Sequence, residues 1–433
     1  MKNAREICLS ALVRMEKDGA YSNLVLNSLL SKCNLSHEEK SFATRLFYGT
    51  LEKKLLLDFN ISLLSKRPPQ KLDVEVLCIL RMGMYQLLFL DSIPDSAAVN
   101  ESVKLCSFTK KTSAKGFVNA LLRAKLRQNK EVCIPKAINE ELSADKSIVS
   151  LISEQYGEGE LRDIFSAFSE NSRQYIKVNT RKTTLNELCA VLKEKNIEIK
   201  PCDRAHDCAE IQGAGDLTNL LEFKNGLFYV QDLASQLCCA ALEAEGAERI
   251  LDVCAAPGGK SFTLALLAPK SAEVVSCDVS SNRVSLIEKG KERLGLSNVK
   301  PQINDATVFN KALGSFDRIL CDVPCSGLGV IGKKPEIRYK RIKPQELFEV
   351  QYKILETSSQ YLNNGGILVY STCTINKIEN EAVIAKFLEE HSEFAPHPLC
   401  ITESGEYHKT FLPDRDGCDG FFVSAIIKNI KGR

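Results

Sequence analysis

Hydrophobic residues recur along the chain with two different spacings. Over residues 1–130 they recur at helical spacing, in runs such as ICLSALVRM, LVLNSLLSKC and EVLCILRMGMYQLLFL. SHEE, at residues 36–39, has the Ser-x-x-Glu form of a helix capping box, and Pro94 with Asp95 is a helix start signal. The pattern predicts an all-α domain over residues 1–130.

The next hundred residues, 131–230, have a mixed pattern. A charged stretch near residues 129–150 leads into helices. IKVNTRKTT then alternates as a strand does, LNELCAVLKEKN has helical spacing, and IEIKP reads as a second strand. We predict linker helices followed by a small α+β module.

Strands and helices alternate from residue 231 to the end of the chain. The strand segments are ERILDVCAA, AEVVSCDVS, VKPQIND, FDRILCDVP, GGILVYSTC and FFVSAIIK. Such alternation predicts a mostly parallel sheet with helices on both faces, over residues 231–433. Ligands of these sheets bind beyond the carboxyl ends of the strands.

Composition limits the protein class. The chain is 44% hydrophobic and 26% charged, as globular proteins are. No apolar run approaches the roughly 18 residues of a membrane span. The first residues carry recurring charges where a signal peptide would be apolar. We therefore expect a cytoplasmic protein without a membrane partner.

The 17 cysteines are irregularly spaced, with no CxxC pair, and there are only five histidines. This spacing argues against a zinc site, and we expect no metal. Most of the cysteines are predicted to be reduced core residues, among them Cys8, Cys78, Cys106, Cys189, Cys238, Cys239 and Cys321.

The net charge of +2 conceals an asymmetry. Residues 1–130 hold 21 Lys and Arg against 12 Asp and Glu, hence +9, which leaves −7 for the remainder. A basic first third favours a polyanionic partner. Solvated helix faces would give the same count, so charge alone leaves both interpretations open.

The loop CAAPGGKS, residues 254–261, resembles the end of a phosphate-binding P-loop. The first glycine of that motif would fall at Cys254, and Pro257 lies inside the loop, so a P-loop is excluded. A nucleoside-binding loop remains, in which Gly258 and Gly259 allow close approach of backbone to a ligand.

Acidic residues follow the next two predicted strands. Asp278 could bind a ribose diol and Asp305 an adenine amine, although Asp278 could equally be a helix cap. Acids at these strand ends suit a neutral or cationic ligand better than a triphosphate. S-adenosylmethionine, with its adenosine and sulfonium, fits them.

Two cysteines follow the fourth and fifth strands of the predicted sheet: Cys325 in DVPCSGLGV and Cys373 in YSTC. In open methyltransferase-type sheets the fourth and fifth strands are neighbours, about 4.8 Å apart, so both thiols are expected in one crevice. A thiolate that adds to C6 of a pyrimidine makes C5 nucleophilic toward a sulfonium methyl, and a second thiol can assist elimination. Asp322 could hydrogen-bond the cytosine edge or the cofactor, and Lys260 could bring positive charge to the base.

Two other functions fit less well. An amine methyltransferase would carry Pro-Pro-aromatic after the fourth strand, where this chain has DVPCS. A non-enzymatic RNA chaperone with a decayed methyltransferase domain would have lost some of these residues, and none is missing.

These motifs resemble those of a known family. LDVCAAPGGKS, DVPCSGLGV and YSTCTINKIENE look like the motifs of the RNA cytosine-C5 methyltransferases of the Nop/Sun (Fmu) family, from residue 176 to the C-terminus, with DGFFVSAI as the closing motif. LRMGMYQLLFLDSIPDSAAVNESVKL and KGFVNALLR resemble the NusB-like all-α RNA-binding domain. With that domain in front, the chain is most similar to the bacterial members that act on 16S ribosomal RNA.

The resemblance implies a three-part organisation: a NusB-like RNA-binding domain at 1–130, linker helices with a small α+β RNA-binding module at 131–230, and a Rossmann-like methyltransferase domain with a mostly parallel seven-stranded sheet at 231–433. It implies S-adenosylmethionine-dependent methylation of cytosine C5 in 16S ribosomal RNA, free or partly assembled, by a monomer. A family member acting on tRNA is the alternative.

The resemblance also implies residue roles. Cys373 is the nucleophile, Cys325 assists product release, and Asp322 and Lys260 complete the catalytic set. Cofactor binding is implied for Cys254, Ala255, Ala256, Pro257, Gly258, Gly259, Lys260, Asp278, Arg283, Asp305 and Asp322. One departure is visible: an arginine-rich stretch of the family reads GKKPEIRYKR here, with Lys333, Lys334, Arg338, Lys340 and Arg341.

Overall fold

The computed structural model describes residues 3–170, 173–212 and 215–430. The chain forms two compact units. One comprises Met1–Phe165 with Lys333–Ile342, and the other comprises Ser166–Gly332 with Lys343–Arg433. The predicted boundary near residue 130 lies inside the first unit, which continues to Phe165.

The first unit, here called the helical unit, is built from amphipathic helices around one apolar helix. The helices up to the unit boundary are α1 Ala4–Asp18, α2 Ser22–Leu30, α3 His37–Glu52, α4 Lys54–Ser62, α5 Val74–Phe89, α6 Asp95–Phe108, α7 Lys115–Arg127, α8 Ile138–Glu141, α9 Lys146–Tyr156 and α10 Glu158–Glu170. α5 is buried from Val76 to Leu87 because it is apolar on nearly every face. The predicted capping box begins α3, where Ser36 and Glu39 bond each other's backbone amides.

A short segment from late in the chain, residues 333–342, completes the helical unit. The Tyr339 hydroxyl donates to the Leu51 and Glu52 carbonyl oxygens, at 2.6 and 2.9 Å. Arg338 is 3% exposed and donates to the Leu142 carbonyl at 2.9 Å. Arg338 belongs to the basic stretch that departs from the family pattern, and its burial makes its charge inaccessible to RNA.

The second unit, here called the catalytic unit, begins with a small antiparallel module. Its elements are β1 Gln174–Val178, α11 Leu185–Glu194, β2 Glu198–Pro201, β3 Cys208–Gln212, α12 Leu221–Lys224 and β4 Phe228–Val230. The strand order is β2-β3-β1-β4. Alternate residues of β1, such as Ile176 and Val178, pack against Leu188 and Leu192 of α11. The predicted α+β module is confirmed.

The rest of the catalytic unit is a larger sheet flanked by helices. Its elements are α13 Leu233–Ala240, β5 Arg249–Asp252, α14 Gly259–Leu267, β6 Glu273–Asp278, α15 Ser281–Leu294, β7 Val299–Ile303, β8 Phe316–Asp322, α16 Pro344–Ser359, β9 Leu362–Thr372, α17 Glu381–Glu390, β10 Phe394–Pro396, β11 His408–Phe411, α18 Pro413–Asp416 and β12 Phe421–Lys428. The order is β10-β12-β9-β8-β5-β6-β7, and the short β11 adds an eighth strand by pairing with β12.

Parallel pairing places the strand ends that matter on one edge. β5 through β9 pair in parallel, whereas β12 runs antiparallel to β9. The chain order reverses at β5, with β6 on one side and β8 on the other. The crevice at such a switch point is where open α/β sheets bind ligands. The predicted Rossmann-like fold is confirmed.

The cysteines predicted to lie in the core are buried: Cys8, Cys78, Cys106, Cys189, Cys238, Cys239 and Cys321. Across the described ranges, no helix combines the length and apolar character needed to cross a membrane.

Candidate functional site

Two thiols meet at the carboxyl ends of β8 and β9. Asp322 pairs with Ser371 in the parallel register of these strands. Cys325 follows β8 and Cys373 follows β9, and their Sγ atoms lie 3.1 Å apart. The predicted placement of both thiols in one crevice is confirmed.

Close backbone contacts hold the loops of the two cysteines together. The Gly329 amide donates to the Cys373 carbonyl at 3.0 Å, and the Gly420 amide donates to the Gly329 carbonyl at 2.9 Å. A Cβ on Gly329 would lie 1.7 Å from the Gly420 carbonyl oxygen. Any larger residue at 329 would therefore separate the loops. The packing requires glycine in both the PC motif and the closing motif.

An ion pair lies at the same edge of the sheet. Lys260 Nζ, from the first turn of α14, lies 2.8 Å from Asp322 Oδ2, and the two side chains are 15% and 26% exposed. Ser371 Oγ donates to Asp322 Oδ1 at 2.9 Å. Burial alone would lower the pKa of Lys260, but the Asp322 carboxylate outweighs it and the pKa is raised. Lys260 is therefore protonated at neutral pH.

The pKa of Cys325 is set by its neighbours. The hydrogen bond with Cys373 and burial both raise the pKa of Cys325 well above its usual range, and the negative charge of Glu379 acts in the same direction. Cys325 is therefore a neutral thiol at physiological pH. As a neutral thiol it can donate its proton toward Cys373.

The predicted cofactor loop, Cys254 to Lys260, joins β5 to α14. Gly258 has φ +112°, and a Cβ there would lie 2.4 Å from the Phe262 ring, so glycine is required. A Cβ on Gly259 would be 3.8 Å from Gln231 Nε2 and would meet nothing nearer. The Gln231 side chain is 7% exposed, and its Nε2 has no partner among the described residues. A helix N-terminus with an unpaired buried amide donor suits a carboxylate.

β5 itself anchors this loop. Ser261 Oγ donates to Asp252 Oδ2 at 2.6 Å and so ties the end of β5 to α14. Burial raises the pKa of Asp252 to about 7. Cys254 is also affected by burial, which raises the pKa of its thiol well above the usual range. Cys254 is therefore a neutral thiol in this loop.

Acidic residues lie at the carboxyl ends of β6 and β7, as predicted: Asp278 is the last residue of β6, and Asp305 follows β7. Asp278 is 3% exposed, accepts from the Ser280 amide at 3.0 Å, and pairs with Arg283 at 3.3 Å. Arg283 also donates to the Ala256 carbonyl at 3.2 Å, which links this loop to the one after β5. Asp305 is exposed, and hydrogen bonds from Thr307 lower its pKa. The N-cap of α15 is Ser280, so Asp278 bonds the residue before the helix and is not the helix cap that the sequence left open.

Sequence reasoning missed two residues of this region, Gln231 and Glu379. Glu379 is 0% exposed, and its carboxylate accepts from the Ser326 amide, next to Cys325, at 2.8 Å. The signal was present in TINKIENE, a polar run that directly follows a buried strand. Nothing local showed that these polar side chains face inward.

Within residues 3–170, 173–212 and 215–430 we find no candidate metal site. No three His, Cys, Asp or Glu side chains in these ranges gather in a group that could hold a metal ion.

Comparison with protein families gives three matches along the chain. The model described as 16S rRNA methyltransferase RsmB/F matches residues 239–427. The NusB family model matches residues 2–127. A ferredoxin-like domain model of RsmF/B-like methyltransferases matches residues 146–218. In chain order, the matches fall on the helical unit, on the region that includes most of the small module, and on the large sheet.

Relatives match this chain over nearly its whole length. A probable ribosomal RNA small subunit methyltransferase B of Bacillus subtilis is 34% identical, over 98% of this chain and 99% of the relative. The ribosomal RNA small subunit methyltransferase B of Yersinia pestis is 31% identical, over 98% and 99%. The crystal structure of PH0851 covers 99% of both chains with a TM-score of 0.84 and 26% identity. NSun6 from Pyrococcus horikoshii, solved with SFG, shares the fold over 66% of this chain and 99% of its own, with a TM-score of 0.61 and 22% identity.

Proposed function

Because the chain belongs to the RsmB/F family of 16S ribosomal RNA methyltransferases, we propose that this S-adenosylmethionine-dependent enzyme methylates C5 of a cytosine in 16S ribosomal RNA through a covalent cysteine adduct. The observation that carries the proposal is the 3.1 Å contact between Cys325 and Cys373. We propose that the enzyme acts as a monomer, and a ribosomal RNA substrate supports a cytoplasmic location.

Cys373 is the proposed nucleophile. Its thiolate would form a bond to C6 while the C5=C6 electrons move toward C5, and C5 would take the methyl group, whose bond to the sulfonium sulfur breaks. The C5 proton would then pass to solvent, its bonding electrons would restore the C5=C6 double bond, and the C6–S bond would break with its electrons on the Cys373 sulfur. Cys325, a neutral thiol in contact with Cys373, assists this elimination.

Asp322 and Lys260 are proposed to handle the base. Asp322 is held on one side by Lys260 and on the other by Ser371, so its orientation is fixed before substrate arrives. A fixed carboxylate can accept from the cytosine amine, and the ammonium of Lys260 stabilises negative charge that develops on the ring. Preorganisation of this kind costs no rearrangement during the reaction.

The cofactor loop fits the proposed methyl donor. When bound, S-adenosylmethionine supplies an electrophilic methyl group. Gln231 Nε2 and the α14 N-terminus at Gly258 and Gly259 would hold its carboxylate, and Asp278 would hold the ribose diol. The proposed lining comprises Cys254, Ala255, Ala256, Pro257, Gly258, Gly259, Lys260, Asp278, Arg283, Asp305 and Asp322.

Bisulfite sequencing tests the substrate and the atom together. Ribosomal and transfer RNA from cells with and without the gene would be converted and sequenced. We expect one cytosine of 16S RNA to resist conversion only in cells that carry the gene. Resistance confined to tRNA would support the tRNA alternative, and unchanged conversion of both RNAs would contradict the proposal.

The helical unit supplies a second element of the proposal, a basic groove that we assign to RNA. A cavity of about 660 Å³ lies between the loop before α5 and the helix α7. Its apolar floor includes Leu64, Leu72 and Phe117, and the exposed side chains of Lys66, Arg67 and Lys71 stand at its rim. Over the described ranges, these three cations have no ion-pair partner.

A groove with an aromatic side chain and free cations suits single-stranded RNA, whose bases stack on aromatic rings such as that of Phe117 while cations contact phosphates. We expect the triple variant Lys66→Glu/Arg67→Glu/Lys71→Glu to bind a 16S RNA fragment at least about tenfold more weakly at low salt. The negative slope of log affinity against log salt should become shallower by about 2, because roughly three phosphate contacts are lost. Filter binding across a salt series measures both quantities.

A matched control makes the same charge change elsewhere on the helical unit. Arg14, Lys32 and Lys40 are also exposed, and their triple Glu variant alters the net charge equally. Equal losses of RNA affinity in the two variants would show that total charge, and not the groove, determines binding. A peptide-binding groove would instead leave RNA affinity and its salt slope unchanged in the first variant.

A further inference from the structure

Glu379 is a buried carboxylate bonded to the loops of both cysteines. Its Oε2 accepts from the Ser326 amide at 2.8 Å and from Gln351 Nε2, on α16, at 3.1 Å. Its Oε1 accepts from Asn376 Nδ2, in the loop after Cys373, at 2.8 Å. One side chain thus joins the Cys325 loop, the Cys373 loop and a helix.

The segment around Glu379 is itself fixed. The Tyr370 hydroxyl donates to the Glu379 carbonyl at 2.6 Å, and Asn380 Nδ2 donates to the Thr374 carbonyl at 3.0 Å. The hydroxyls of Ser326 and Thr374 lie 2.8 Å apart, a direct bond between the two loops. The carboxylate of Glu379 therefore sits in a rigid frame and reinforces a connection that the two loops already share.

The negative charge of Glu379 has no counter-ion. Its donors are two side-chain amides and a backbone amide, all neutral. In the part of the chain that the structure describes, no Lys, Arg or His forms an ion pair with it. A buried carboxylate without a cation acts on nearby titratable groups at full strength, because little solvent screens it.

The titratable groups shown to interact with Cys325 are Cys373, Glu379 and Tyr370, and Asp322 lies three residues before it in the chain. Burial raises the pKa of Tyr370, which is therefore neutral, and Asp322 is neutralised by Lys260. Among these groups, Glu379 is left as the anion that can bias the thiol pair. When two thiols touch, one ionises more readily and the other donates to it, and a nearby charge decides which.

We propose that Glu379 is a positioning residue for the methyl transfer: its carboxylate fixes the spacing of the two thiols, and its charge keeps Cys325 protonated, so that Cys373 is the thiol that ionises. The proposal rests on the proposed function for its role in catalysis. The ionisation order it assigns is a property of the protein without RNA.

Alkylation of Cys325 tests the charge effect directly. The comparison is between Cys373→Ala and Cys373→Ala/Glu379→Gln, in which Cys325 has lost its thiol neighbour. The introduced glutamine keeps an oxygen for the Ser326 amide but carries no charge. We expect iodoacetamide to modify Cys325 about tenfold faster at pH 8 in the double variant, because its thiolate fraction rises. Peptide-resolved mass spectrometry separates Cys325 from the other cysteines.

Two further variants complete the experiment. Glu379→Asp retains the charge and should restore slow alkylation. Glu222→Gln neutralises another buried glutamate of the catalytic unit, bonded to Lys195, and should leave Cys325 unchanged. Coincident pH profiles of alkylation with and without the Glu379→Gln change would overturn the proposal. So would preferential alkylation of Cys325 over Cys373 in the unsubstituted protein, a measurement that needs no variant to fold.

The outcome separates this proposal from the cytosine chemistry. If Glu379 controls alkylation as expected while 16S RNA gains no methylcytosine, the proposed function fails and the ionisation order stands. If methylcytosine forms and the alkylation profiles coincide, the enzyme works without this control and the role of Glu379 is wrong.

Discussion

Replacement of Cys325 by alanine should leave the enzyme bonded to its methylated RNA. Attack by Cys373 and methyl transfer need only the other thiol, whereas elimination loses the Cys325 group that lies 3.1 Å from it. The trapped species should appear as a slow band on a denaturing gel. The band should require S-adenosylmethionine and disappear on RNase treatment.

Replacement of Cys373 by alanine should have a different outcome. Without the nucleophile, neither adduct nor methylated product forms, and we expect the methylation rate to fall by at least about a thousandfold. If the adduct accumulated in Cys373→Ala instead, the roles of nucleophile and of product release would have to be exchanged between the two cysteines. Activity retained in both variants without any adduct would make both cysteines core residues.

Cys321→Ala is the matched control for lost packing. Cys321 lies on β8, directly before Asp322, and is fully buried. Its replacement removes a buried thiol at a cost of about 1 kcal/mol without touching the crevice. It should show normal turnover and no gel-shifted band.

The second large effect is expected at the ion pair of Lys260 and Asp322. Asp322→Ala leaves the Lys260 ammonium largely buried without its carboxylate, at a cost of about 2–3 kcal/mol. The melting temperature of the catalytic unit should fall by roughly 5–10 °C. Methylation should fall at least about a hundredfold, because the group proposed to orient the cytosine is lost. Differential scanning fluorimetry and a tritium-transfer assay measure the two effects.

A double replacement separates stability from catalysis. Lys260→Met/Asp322→Leu removes both charges, so the melting temperature should recover while activity does not. Glu273→Ala serves as the control at an exposed ion pair. It breaks the pair with Arg249, in which the Arg249 and Glu273 side chains are 38% and 39% exposed, and should lower the stability by less than about 1 kcal/mol. A double variant as unstable as Asp322→Ala would refute the buried-charge explanation.

Local patterns predicted the sheet and the position of its crevice. The alternation around Asp278, Asp322 and Cys373 identified buried strands and their ends, and parallel connections bring such ends to one edge. The predicted proximity of Cys325 and Cys373 needed one further premise, that the fourth and fifth strands are neighbours as in open methyltransferase-type sheets. The sheet order, with β8 next to β9, agrees with it.

The residues that sequence reasoning missed depend on contacts between distant segments. Gln231 is brought to Gly259 by packing of the small module on the large sheet within the catalytic unit. Glu379 faces inward because donors from α16 and the Cys325 loop satisfy its carboxylate. A polar side chain in a loop is exposed by default, and only the assembled partners change that.

Completion of the helical unit during synthesis depends on segment 333–342, which is translated late. The helical unit contains Tyr339, whose hydroxyl bonds carbonyls of residues 51 and 52, yet Tyr339 is translated after β1 to β8. At about 5–20 residues per second, residue 342 follows Phe165 by roughly 10–35 seconds. The first unit to emerge is thus completed only when most of the second has been made. A message that stops before codon 342 would leave the early helices without this part of their interior.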